Sequence, residues 1–118
     1  MKRRVYIETT IASFYHETRT DPAVVVRREW TRRWWDQKSG SYECVTSEAV
    51  IAELERGEFP HQAEALEFAR GLPRLDLVEE IDEIVTTYLR HRLMPGDPGG
   101  DAMHLALASF YKCDFLMT

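Results

Sequence analysis

Glu8, Glu53 and Asp101 are the residues of this chain whose types and settings suggest chemistry. Glu8 closes the apolar run Val5-Tyr6-Ile7, which should be a central strand, and a charge there is costly unless it is paired or bound to a metal. Asp101 follows two glycines and opens DAMHLALASFYK, a segment apolar almost all round, so its N-terminus must lie buried or close to it. Asp in that place is a natural N-cap, and an N-cap can also be a metal ligand. Glu53 stands in SEAVIAELERG beside Glu48 and Glu55, and periodicity alone does not separate it from those two. His104 lies three residues after Asp101, on the same helical face. Asp-x-x-His resembles half of a helical two-metal site, but the other acid-x-x-His, Glu58 to His61, contains Pro60 and breaks that pattern. His104 therefore reads as a packed, hydrogen-bonded histidine near the site and not as a ligand.

Three acids with no competing motif point to hard divalent cations, Mg2+ or Mn2+, which prefer oxygen ligands and are commonly completed by substrate phosphates. Such a site suits phosphodiester hydrolysis. The sequence has no G-x-S-x-G, no GxxxxGK[ST], no GxGxxG and no HExxH. Cys44 and Cys113 form no Cys-x-x-Cys, which excludes a disulfide scaffold and a cysteine zinc site. Asp97 and Asp114 read as turn and strand-entry residues.

The elements that must position these acids alternate. Residues 4–8 read as a first strand that runs on into the β-branched Thr9, Thr10 and Ile11. Asp21-Pro22 suits a helix start, and Val26, Trp30 and Trp34 recur at i, i+4 and i+8 to about Asp36. Arg28, Arg32 and Arg33 lie on its other side, while Val24, Thr31 and Trp35 form a second apolar strip. YECVT is a second strand, and Ser47 caps a helix that stops at Gly57. HQAEALEFARG is helical, LPRLDLV a third short strand, and Glu79 to about Met94 a helix with Ile81, Ile84, Val85, Tyr88 and Leu89 on one face. The loop PGDPGG, residues 95–100, precedes the helix opened by Asp101, and DFLMT starts a last strand. This order predicts an α/β three-layer sandwich around a mostly parallel sheet of four or five short strands. In such a sheet ligands bind outside the carboxyl ends of the strands, which is the edge where Glu8, Glu53 and Asp101 would converge.

With 118 residues, 44% of them hydrophobic, the chain is expected to form one domain over 1–118 with a real core. The net charge of −5 hides an asymmetry: residues 1–38 hold nine Lys/Arg and five acids, residues 39–118 six and fifteen. No apolar stretch approaches the roughly 18 residues that span a bilayer, and MKRRVYIETT meets Glu8 before any long apolar region, so a cytoplasmic protein with reduced thiols is expected.

Taken in order, VYIETTIASFY, SEAVIAELERG and GGDAMHLALASFYKCDFLMT resemble the PIN domain, the nuclease fold of VapC-like toxins in bacterial and archaeal toxin–antitoxin pairs, over nearly the whole chain. The resemblance implies Glu8, Glu53 and Asp101 as the metal-binding and catalytic set, the same three reached from topology. It adds Thr10 as the hydroxyl beside the first acid. That acid is usually Asp in the family, and Glu8 is one methylene longer; Mg2+ sites accept either. Thr118 stands where the family continues with Thr-x-Asp or Thr-x-Asn, so a fourth ligand and a last C-terminal element are expected beyond it. Thr10, His104 and Thr118 would then surround the acids without binding metal. The resemblance further implies an RNA substrate, a homodimer, and a cognate antitoxin whose C-terminal segment covers the site. Arg27, Arg28, Arg32 and Arg33 would meet RNA phosphates, and the strip of Val24, Thr31 and Trp35 could form part of an interface. The expected activity is metal-dependent endoribonuclease; the alternatives are a PIN module that binds nucleic acid or protein without cutting, and an α/β enzyme acting on a small phosphate ester.

Overall fold

The run Val5-Tyr6-Ile7 forms the centre of the molecule. In a computed structural model, which describes residues 2–91 and 101–118 with Asp101 by its backbone alone, it lies in β1 (Arg4–Ile7). The described strands β1, β2 (Glu43–Ser47), β3 (Arg74–Leu75) and β4 (Phe115–Met117) make one sheet in the order β3-β2-β1-β4, all parallel. Tyr6 is level with Val45 on one side and Leu116 on the other. Helices α1 (Thr9–Tyr15), α2 (Pro22–Lys38), α3 (Glu48–Glu55), α4 (Gln62–Arg70), α5 (Glu79–Arg90) and α6 (Asp101–Phe110) flank it, giving the expected α/β sandwich. Four of the four or five expected strands are present, and the pairing is wholly parallel among the described residues.

Alternation along β1 sends its residues to two cores. Tyr6 joins the larger one with Val50, Leu54, Ile81, Val85 and Leu107 from α3, α5 and α6. Val5 and Ile7 point the other way, with Ile11, toward Trp34, Trp35 and Phe68.

Three expectations need correction. Thr9, Thr10 and Ile11 do not prolong the first strand; they begin α1. β-Branched residues lose only a few tenths of a kcal/mol in a helix, whereas burying Ile11 and Ala12 gains more, about 1.5–3 kcal/mol for a fully buried Ile. The rotation of α2 is also different: Val26 is 54% and Trp30 70% exposed. Trp34, the third of that row, does pack inward together with Trp35 of the second strip, Trp35 lying 4.6 Å from the Phe68 ring, whereas Thr31 of that strip lines an open cleft with Val26 and Trp30. The reason lies in α1, whose last carbonyls and the turn after it need donors. Arg32 Nε donates to the Tyr15 carbonyl at 2.7 Å and Arg28 to that of Glu17 at 3.4 Å, which fixes that side of α2 against α1. Finally, LPRLDLV contributes only Arg74 and Leu75 to the sheet, as an edge strand hydrogen-bonded to β2 alone; Pro73 has no N–H and offers its carbonyl to Thr46 N at 2.9 Å. The expected extension of α5 to Met94, the loop 95–100 and Asp97 lie outside the described residues.

Candidate metal centre

Glu8 is fixed by its backbone from both sides. Its N–H donates to the Met117 carbonyl on β4, and its own carbonyl accepts from Ile11 N in α1, each at 3.1 Å. The residue thus ends β1 and begins α1 in extended geometry, and it is only 8% exposed. Glu53 stands three residues after Val50 on α3, whose buried Val50, Ile51 and Leu54 hold that face toward the core, so its carboxylate reaches the carboxyl edge of β1. His104, on α6 between Ala102 and Ala106, is fully enclosed. One ligand-type atom of each of Glu8, Glu53 and His104 lies within 4.8 Å of the others.

The Glu53 carboxylate is held at both oxygens. Oε1 accepts from His104 Nε2 at 2.6 Å and Oε2 from Thr9 Oγ1 at 2.7 Å. Burial pushes this carboxyl up, but the hydrogen bonds from His104 and Thr9, with the Arg56 guanidinium nearby, outweigh it and keep the group below its ordinary value, hence ionised.

Behind His104 the contacts continue. Nδ1 lies 2.7 Å from the Tyr6 hydroxyl, which in turn lies 2.7 Å from Ser47 Oγ. Burial holds the Tyr6 phenol well above its usual range; the Ser47 contact opposes this and the charges of Glu53 and Glu8 reinforce it, so the hydroxyl keeps its proton. An ionised carboxylate only accepts, so Nε2 carries the proton that meets Glu53. Nδ1 is engaged by the Tyr6 hydroxyl, and that hydroxyl in turn by Ser47 Oγ. Both ring nitrogens are thereby occupied. His104 is thus hydrogen-bonded to Glu53, beside which a carboxylate oxygen of Glu8 also lies. Two such oxygens brought close by separate elements fit a hard divalent ion, which neutralises the repulsion between them.

The other residues singled out from sequence are distributed around this core. The backbone of Asp101 opens α6 one turn before His104, and its side chain lies outside the described residues. Thr10 is half-buried, with its Oγ1 closed off and without a hydrogen-bond partner among the described residues. Thr118, exposed, lines the same cleft as Thr10. Arg27 carries its guanidinium 4.4 Å over the Phe14 ring, Arg33 is exposed, and Arg28 and Arg32 are the donors to α1 described above.

Thr9, Tyr6 and Ser47 were not legible as parts of the site. A tyrosine in a central strand had to find a hydroxyl partner, and that was the one available signal. Ser47 does sit at the start of α3, but its hydroxyl makes no cap bond there and is turned to Tyr6 instead.

Among the described residues no helix is long and apolar enough to cross a membrane. A family model described as the PIN domain matches residues 5–118. Searches of curated proteins and of solved structures return no match.

Proposed function

The chain belongs to the PIN domain family, and from that premise we propose that it is a divalent-metal-dependent endoribonuclease, the toxin of a VapC-like type II toxin–antitoxin pair. The observation that carries the reading is the meeting of Glu8 and Glu53 at the carboxyl edge of β1, with Glu53 locked in its ionised form by His104 and Thr9. Glu53 has His104 and Thr9 as partners, whereas among the described residues no salt bridge or side-chain hydrogen bond engages Glu8, whose carboxylate stands beside that of Glu53.

On this reading Glu8, Glu53 and Asp101 bind the catalytic ion, Mg2+ or Mn2+. When bound, the ion supplies an acidified water and neutralises the charge that grows on the scissile phosphate. The chain's own residues set the frame. Glu53 keeps a fixed orientation because both its oxygens are held, so only its remaining lone pairs face the site. Tyr6 and Ser47 keep the His104 ring from turning. Glu8, pinned to β4 and α1 through its backbone, brings its longer side chain to the same point from a rigid strand end. The proposed partners are RNA, a cognate antitoxin and a second copy of the chain, in the cytoplasm.

Cleavage of single-stranded RNA in Mn2+ or Mg2+, beside EDTA and Asp101→Asn controls, tests this. Loss of cleavage in both controls is the expected result. Intact RNA with metal bound and the fold present would replace the enzyme with a binding module.

A further inference from the structure

A second feature opens on the same sheet edge. Between α1, α2 and the end of β4 lies a cleft of about 330 Å3, lined by Thr10, Phe14, Val26, Arg27, Trp30 and Thr118 among others. Two of its walls grow from the strand ends that hold Glu8: Thr10 is two residues beyond it, and Thr118 follows Met117, whose carbonyl accepts from Glu8 N. The cleft therefore adjoins the acidic cluster.

Its contents are unusual for a surface. Trp30 is 70% exposed and Val26 54%, although α2 has an inward face that takes up Trp35. Among the described residues Trp34 and Trp35 pack on other rings, whereas Trp30 has no aromatic partner. Beside it the Arg27 guanidinium lies over the Phe14 ring, 4.4 Å from its centre, a cation positioned by a ring. An open indole next to a positioned guanidinium is the combination that stacks a nucleobase and meets its phosphate. The charge of the surroundings agrees: residues 1–38, which build this wall, carry a surplus of four positive charges in a chain of net −5.

We propose that this cleft seats an unpaired base of the RNA, stacked on Trp30 with Arg27 on the adjoining phosphate, next to the phosphodiester handled by the acids. The proposal rests on the ribonuclease reading and narrows its substrate to strands that can splay a base out, since the bases of a duplex are stacked and out of reach.

The test uses a fluorescein-labelled short single-stranded RNA and the duplex of the same sequence, bound in EDTA and followed by anisotropy, then cleaved in Mn2+. Trp30→Ala should weaken single-strand binding about tenfold, lower kcat/KM by a similar factor, and leave duplex binding unchanged. Trp30→Phe should restore most of the loss, and Arg27→Ala should reduce the salt slope by about one. Trp30 is a surface residue, and circular dichroism verifies that each variant folds. If wild-type protein binds or cuts the single strand and Trp30→Ala does so equally well, the cleft proposal is overturned and the ribonuclease reading stands. If Trp30→Ala instead dissociates a dimer in sedimentation without changing RNA affinity, the cleft belongs to a second copy and the proposal fails. Wild-type protein that neither binds nor cuts RNA would remove both readings together.

Discussion

His104 Nε2 lies 2.6 Å from Glu53 Oε1 across 51 residues of chain, and the histidine is fully buried while the glutamate side chain keeps 19% of its surface open. The pair spans the boundary between core and site: its inner member is fixed by the core, its outer member faces the cation. Disturbing the inner member should therefore be felt at the metal.

His104→Ala takes one of two partners from the Tyr6 hydroxyl, which keeps Ser47 Oγ, and the ring donor from one Glu53 oxygen, in a closed space. The expected loss of stability is about 2–4 kcal/mol, and the affinity for Mn2+ should fall about 10–100-fold, as for other residues that orient a ligand. Calorimetric titration with Mn2+ and urea unfolding measure the two effects. Unchanged Mn2+ affinity in a folded variant would show that Glu53 does not need the ring.

Tyr6→Phe removes one oxygen and keeps the ring in its place. Ser47 Oγ and His104 Nδ1 then lose a shared partner, at a cost of about 1–3 kcal/mol, read as a lower urea midpoint with unchanged slope. Ser47→Ala in the same background should add little, because the hydroxyl it removes is already unpaired. Additive losses in the double variant would show that the two hydroxyls act independently.

The parallel-sheet rule made the meeting of Glu8 with Glu53 legible, since it brings strand ends and following helices to one edge whatever their distance in sequence. His104 was legible as a companion of the site because an enclosed polar residue on an apolar helix must have a partner. The rotation of α2 was not. Its apolar residues fall on two sides, and the choice between them was made by Arg28 and Arg32 reaching the carbonyls of Glu17 and Tyr15, contacts with a segment read as strand and loop. Thr9 escaped for the same reason: its hydroxyl meets Glu53 only because α1 starts there.

The depressed Glu53 carboxyl carries a pH signature. A group whose pKa is lower folded than unfolded adds stability that is present above its unfolded value and lost as pH falls through the folded one. For Glu53 the ordinary value is 4.5 and the folded one lies below it. Wild type and Glu53→Gln, both in EDTA, should therefore differ in unfolding free energy at pH 6, and the difference should shrink as pH drops below about 4.5. A difference that stays constant from pH 6 down to 3 would mean that Glu53 is not held ionised by the fold.

Glu8 gives the opposite balance with and without metal. It sits 8% exposed with a carboxylate oxygen within 4.8 Å of the corresponding Glu53 atom, so in the metal-free protein the two charges repel in a partly dry setting. Glu8→Gln relieves that repulsion and should unfold at the same or a higher temperature than wild type in EDTA. Adding Mn2+ reverses the order: at about a hundred times Kd, an ion that binds only the folded state adds about 2.7 kcal/mol, and wild type gains this while Glu8→Gln gains little of it. Thermal melts of both proteins with Mn2+ and with EDTA supply all four values. An equal Mn2+ shift in the two proteins would take Glu8 out of the metal site and leave its enclosed carboxylate without a role.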